Sequence, residues 1–323
     1  MKATNLLKGL LCAIAAVAAA PSYAQTSYPD KPVHLIVPQP PGGTSDTLAR
    51  MWAEHVGNQL GQSVIVENKP GANGSIAASY VARQPADGYS VFLAGVSNLA
   101  LNPFIYKQQS YSPKDFEGVG LLVETPFILV ASKASGIKSF DDLIARAKAE
   151  PGRLNFSSAG QGNATHLVVE MLTKKLGIQL MHVPFNGSVP ALQSVIGGQT
   201  ELMADVIMTG GAQAKAGKVT PLAILGTQHS AAFPDLPTLE DKGLKDFPYP
   251  NWYALVVPKG TPAPVIQKLN AATVAFLNDP AVVTKLQGLG VAPKPSGVDD
   301  VKRYTERDAA LWEPLIKSLN ISN

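Results

Sequence analysis

Val33-His34-Leu35-Ile36-Val37, then Pro38-Gln39-Pro40-Pro41-Gly42-Gly43-Thr44, then Ser45 to Gln59, reads as a strand, a loop and a helix. Leu48, Met51, Trp52 and Val56 fall on one face of that helix. The pattern repeats immediately. Val64-Ile65-Val66-Glu67-Asn68 is a second strand, and a glycine-rich turn (Pro70-Gly71-Ala72-Asn73-Gly74) leads into a helix from Ser75 to Arg83. Tyr89 to Leu93 is a third strand. Short apolar strands alternating with helices predict a parallel α/β sheet covered on both faces.

Beyond Pro113 the text changes. Gly120 to Val123 and Phe127 to Ala131 form an apolar passage broken by Glu124-Thr125-Pro126. Phe140 to Lys148 reads as a helix with Ser139 as its N-cap. Strands are expected at Leu154–Ser158, His182–Phe185, Leu202–Val206, Leu222–Leu225 and Trp252–Val257, with helices at Ala164–Leu176 and Pro190–Ile196. The chain thus reads as two α/β units with crossings near 124–126 and 248–252, and C-terminal helices that return to the first. The expected bounds are a leader at 1–24, a first domain at 25–124 continued at 251–323, and a second domain at 125–250.

The leader reads as an export signal. Lys2 and Lys8 precede an apolar run from Leu10 to Ala20, and Ser22-Tyr23-Ala24 offers small residues for cleavage ahead of Gln25. That run is shorter than the ~20 residues an anchor needs. The only cysteine, Cys12, lies inside it, and Leu11 stands where a lipid-anchor signal would have a small residue. Removal of the leader leaves 299 residues with 25 basic and 24 acidic side chains. No basic stripe of the kind nucleic acid requires is present. Export also argues against a soluble nucleotide cofactor.

Three strand-to-helix turns carry the candidate chemistry. Pro40 to Asp46 can either approach an anion through backbone N–H groups or be a tight turn with Asp46 as a capping carboxylate. Ser157 to His166 contains Gly160-Gln161-Gly162, but Thr165 stands where a dinucleotide fingerprint has its third glycine. An oxyanion cradle is the better reading, with N–H groups from Gly162 to Ala164 and hydroxyls from Ser158 and Thr165; a structural turn beside a packed His166 is the alternative. Ser188, after Asn186-Gly187, reads as an N-cap with Pro190 near the first helical position. Turns near 43, 73, 163 and 188 would all point helix N-termini at the strand carboxyl edges, where open α/β sheets bind ligands. Asp205 can face the cleft from a strand end or be a solvated or hinge-capping carboxylate. No Gly-x-Ser-x-Gly or His-Glu-x-x-His occurs, and the five histidines lack close metal-ligand spacing, so no catalytic or metal site is assigned.

With these residues aligned, the chain resembles the Bug-type periplasmic solute-binding receptors of tripartite tricarboxylate transporters. The resemblance rests on Tyr28–Val33, Pro40–Asp46, Val66–Gly74, Pro85–Tyr89, Ser158–Gly162, Val183–Gly187, Gly197–Gln199, Pro237–Glu240, Trp252–Leu255 and Pro258–Pro262, in that order. It implies a two-domain type II periplasmic binding protein fold with a ligand cleft between the domains. It also implies a small organic carboxylate as ligand, membrane transporter subunits as partners, a monomer, and no cofactor. By resemblance, Pro41, Gly42, Gly43, Thr44, Ser97 and Asn98 would face the ligand from the first domain. Ser158, Gly162, Asn163, Ala164, Thr165 and Asp205 would face it from the second. Two other roles stay open: an exported enzyme using His166 and Asp205 as acid and base, and a ligand-presenting partner of a membrane sensor kinase.

Overall fold

The computed structural model describes residues 28–245, 247, 251–319 and 321, and the expected export signal at 1–24 lies outside them. Every element below belongs to the unit Lys31–Asn323. In chain order these are β1 (Val33–Val37), α1 (Thr44–Leu60), β2 (Val64–Asn68), α2 (Ser75–Ala82), β3 (Ser90–Gly95), α3 (Asn102–Ile105) and β4 (Phe116–Thr125). Then come β5 (Phe127–Ser132), α4 (Phe140–Ala149), β6 (Asn155–Ser158), α5 (Ala164–Leu176), β7 (Met181–Pro184), α6 (Ser188–Ile196), β8 (Leu202–Val206), α7 (Ala212–Lys215) and β9 (Val219–Leu225). The last run is β10 (Asn251–Pro258), α8 (Ala263–Asn278), α9 (Pro280–Gly288), β11 (Ala292–Pro293) and α10 (Asp299–Ser318).

Two sheets result, with strand orders β11-β4-β10-β3-β1-β2 and β7-β6-β8-β5-β9. The chain changes sheet across Pro126 and again between Leu225 and Asn251. The parallel sheet expected from the alternation is corrected to two mixed ones. β1 runs parallel to β2 and β3, and β6 to β7 and β8, but β10 lies antiparallel between β3 and β4, and β5 antiparallel between β8 and β9. The reason is connectivity: β5 and β10 enter from the opposite sheet, without the right-handed helical crossover that makes neighbours parallel.

Side-chain chemistry explains the local bounds. The α1 face buries Leu48, Ala49, Trp52, Ala53 and Val56, while Met51 is only half-buried. The Trp52 indole N–H donates to Thr273 Oγ1 at 3.0 Å, joining α1 to α8. Ser139 caps α4 as expected, its hydroxyl accepting from the Asp142 N–H at 3.1 Å. The expected Ser188 cap is corrected: Gly187 is the N-cap of α6, Ser188 is its first helical residue and Pro190 its third. At the C-terminus α8 and α10 return to the first sheet. Asn270 Nδ2 donates to the Val119 carbonyl at 2.7 Å, and the Trp252 indole donates to Asp308 Oδ2 at 2.6 Å. Among the described residues no helix is long and apolar enough to cross a membrane.

Candidate functional site

A cavity of about 320 Å³ lies where the two sheets face each other. Four strand-to-helix turns build its wall: 38–40 after β1, 70–74 before α2, 159–165 between β6 and α5, and 184–188 between β7 and α6. Residues 95–98 at the end of β3, with Tyr106, Phe127, Val206, Asn251 and Tyr253, complete it. No Asp, Glu, Lys, Arg or His lines it among the described residues. The surface is neutral and polar, set between aromatic and proline rings.

Of the residues expected to face a ligand, Ser97, Asn98, Asn163, Ala164 and Thr165 line this cavity. Pro41, Gly42, Gly43, Thr44, Ser158, Gly162 and Asp205 do not. The turn at Pro40–Asp46 takes the capping alternative. Gly42 N–H donates to Asp46 Oδ2 at 3.0 Å, and the same carboxylate accepts two bonds from Arg50 and one from Asn68. Burial opposes ionisation of Asp46, but these donors outweigh it and hold the carboxyl below the usual range. Pro41 and Gly42 point to the surface instead, and Thr44 is buried.

The expected cradle is also occupied from within. Gly162 N–H donates to His166 Nδ1 at 3.1 Å, Asn163 N–H to the Gly160 carbonyl at 3.1 Å, and Ala164 N–H to Ser97 Oγ at 3.2 Å. Thr165 Oγ1 accepts from Ala159 N–H at 2.9 Å and lies 3.0 Å from Asn163 Oδ1. Asn98 Oδ1 accepts from Gly95 N–H at 3.1 Å, and its amide donates to the Asn73 carbonyl at 3.0 Å. Buried polar groups that can find a partner do so, and these hydrogen bonds hold the loops in shape. The free donors lie one or two residues away. Among the described residues the backbone N–H groups of Gln161, Asn186 and Ser188 meet no protein acceptor, and the Tyr106 hydroxyl makes no hydrogen bond. The sequence signal for them was the set of four converging turns, not the individual motif positions.

Behind the Gly160–Gly162 loop lies a cluster that no motif announced. The rings of His166 and His182 stack with centroids 3.7 Å apart and planes 11° apart, and Phe156 stacks on His182 at 4.9 Å. His182 Nε2 lies 2.6 Å from Ser158 Oγ, which also accepts from Gly160 N–H at 3.2 Å. Burial first, then the neighbouring His166, pushes His182 down to about 3. An unfolded histidine titrates near ~6.5, so between those values the unfolded chain binds more protons than the folded one. Stability is therefore lost as pH falls from about 6.5 toward 3. His182→Asn is expected to flatten that acid limb of a thermal-melt profile, and an unchanged limb would show that His182 does not drive it.

Asp205 does not face the cavity. It sits on β8 opposite Ile128, wholly buried, with Thr209 Oγ1 donating to its Oδ2 at 2.6 Å and no partner for Oδ1. Burial pushes the carboxyl up to about 7, against the opposing pull of Thr209 and nearby backbone N–H groups. His166 is likewise buried outside the cavity, so neither half of the expected acid–base pair meets the space where a substrate would sit. Among the described residues no group of three or more His, Cys, Asp or Glu could hold a metal ion.

Three polar contacts join the turns of one sheet to those of the other. Asn163 Nδ2 donates to Asn73 Oδ1 at 2.6 Å, Ala164 N–H to Ser97 Oγ, and Thr44 Oγ1 lies 3.4 Å from Thr209 Oγ1. Gly187, at φ +111°, passes the ring of Pro40 so closely that a Cβ would stand 2.9 Å from its Cδ. Such a cleft can enclose a small molecule and hold an anion by N–H and O–H groups without a cationic side chain.

The sequence matches the family described as tripartite tricarboxylate transporter family receptor over residues 48–321. The chain belongs to that family. Among its relatives, protein BugT of Bordetella pertussis is 32% identical over 98% of this chain and 98% of its own length, in keeping with the Bug-type resemblance. Two solved receptor-like structures share the two-domain fold. The R. palustris protein Rpa4515 with adipate has a TM-score of 0.88 at 32% identity, covering 91% of this chain and 99% of that one. MatC (Rpa3494) from Rhodopseudomonas palustris with bound malate has a TM-score of 0.83 at 30% identity, covering 90% and 100%. As a family receptor, the chain is a solute-binding protein of the two-domain α/β type.

Proposed function

We propose that this protein is a periplasmic receptor that captures a small organic carboxylate in the cavity between its sheets. It delivers the ligand to the membrane subunits of a tripartite tricarboxylate transporter. In this reading the leader is released after Ala24. Residues 25–124 with 251–323 form one lobe, residues 125–250 the other, and the ligand favours the closed arrangement by touching both. The observation that carries the reading is the neutral polar wall of the cavity, lined by Gln161, Asn186, Ser188 and Tyr106, whose backbone N–H groups (of the first three) and hydroxyl (of Tyr106) meet no protein partner among the described residues. The relatives solved with adipate and malate support a carboxylate as the ligand class.

A thermal-shift screen of di-, tri- and aromatic carboxylates tests the proposal. A bound acid at a hundredfold excess over its Kd is expected to stabilise the folded protein by about 2.7 kcal/mol. A panel in which no carboxylate moves the midpoint would overturn it.

A further inference from the structure

Asp205 is a fully buried carboxylate near the cavity that the proposed capture does not use directly. Its chain neighbour Val206 and the facing Tyr253 both line the cavity. The residue is packed closely: a Cβ on Gly210 would stand 3.1 Å from its own Cβ. Thr209 Oγ1 links Oδ2 to Thr44 of the opposite lobe, through contacts of 2.6 and 3.4 Å, while Oδ1 is buried without a partner. Among the described residues no cation acts on the group from any element around it. β5 presents Ile128, the 207–211 turn presents Thr209 and Gly210, and the first lobe presents Thr44. From β10 comes Tyr253, the only titratable group acting on it among the described residues, whose hydroxyl is kept neutral by burial.

We propose that Asp205 is a positioning residue that supports the Thr209–Thr44 contact between the lobes in its protonated form, so that capture of an anion draws a proton from solvent onto Asp205. This rests on the reading of the cavity as a carboxylate site. Two effects favour the protonated form. An ionised Asp205 leaves a charged oxygen buried and unpaired, which is costly. A neutral Asp205 can donate from Oδ2 to Thr209 Oγ1, which frees the Thr209 proton for Thr44 Oγ1 and orders the whole chain of hydroxyls in one direction. An anion entering beside the Val206–Tyr253 wall adds repulsion that is weakly screened away from water, and so favours the neutral form further. The net change on capture is one carboxylate bound and up to one proton taken up.

Isothermal titration with malate and adipate, in buffers of different ionisation enthalpy, reads that proton directly. For a carboxyl titrating near neutrality, uptake of more than about half a proton per ligand is expected at pH 7.5, falling to about a tenth at pH 6. D205N is expected to abolish the uptake. Binding without uptake at pH 7.5, or equal uptake in D205N, would overturn the proposal. Ligand-free melts of wild type and D205N separate this from failure of the functional reading. A folded-state carboxyl raised to about 7 makes the wild type lose stability relative to D205N as pH rises from about 4 to 7. Parallel profiles would overturn the Asp205 assignment even if neither acid binds, and they decide it if D205N does not bind.

Discussion

Replacing Gly187 by valine is expected to weaken carboxylate binding at least ~100-fold, equivalent to about 2.7 kcal/mol. The backbone there holds φ +111°, and any Cβ would meet the Pro40 ring at 2.9 and 3.1 Å across the cleft. That ring is rigid, so the strain falls on the approach of the two lobes. A ligand that requires both lobes then binds a less populated state, and its apparent affinity falls in proportion. Positive φ also costs an L-residue about 1–2 kcal/mol of stability wherever it occurs. Gly217→Ala controls for this, because Gly217 has φ +69° and nothing within 4 Å of an added Cβ. It should lose stability but keep its affinity. Adding Pro40→Gly to the valine variant removes the ring and should recover part of the lost binding, since contacting residues couple. Calorimetric titration of the four proteins checks the set. Equal affinity in Gly187→Val and wild type would show that the lobes need not approach here.

Trp252→Ala is expected to give the largest loss of stability, about 3–5 kcal/mol by denaturant unfolding. Trp252 is fully buried in β10, the strand that carries Asn251 and Tyr253 back to the cavity wall. Its indole donates to Asp308 Oδ2 at 2.6 Å, and Arg307 Nε donates to Oδ1 of the same buried carboxylate at 2.7 Å. Alanine leaves a large void and also strips one donor from a carboxylate that water cannot reach. Trp252→Phe keeps most of the volume and removes only the donor, so about 1.5–3 kcal/mol is expected. A loss under ~1 kcal/mol for the alanine variant would contradict this account of the β10–α10 junction.

The local chain wrote its own secondary structure clearly. β1, β2, α5 and β8 begin and end where the apolar periodicity predicts; β1 is bounded by Pro32 and Pro38, and α5 by the Asn163 cap and Gly177. Strand direction was less legible. Nothing local to Phe127–Ser132 or Asn251–Pro258 says which sheet the chain has just left, and that history makes both strands antiparallel. The site was legible as geometry rather than as residues. Strand-to-helix turns line the cavity, but Pro41 to Thr44 of the first lie away from it, and most groups read as ligand donors are spent on holding the turns. Asp46 takes the Gly42 N–H, His166 takes the Gly162 N–H, and Ser97 takes the Ala164 N–H. Each partner lies on the following helix or in the opposite lobe, so a linear reading of the glycine loop sees a free donor where the fold supplies an acceptor. The stacked His166–His182 pair was hidden for the same reason, since β6–β7 pairing sets His182 beside Phe156 and the helix α5 brings His166 onto it from elsewhere in the chain.

On the proposed reading, a neutral wall of N–H and O–H groups in this cleft binds a carboxylate as an anion. Isothermal titration of malate and adipate beside their diamides, under identical conditions, tests it most directly. The account predicts that at least one acid binds with a stoichiometry of one and that its amide, equal in size but uncharged, does not measurably bind. Amides binding as tightly as the acids, or neither acid binding, would contradict it.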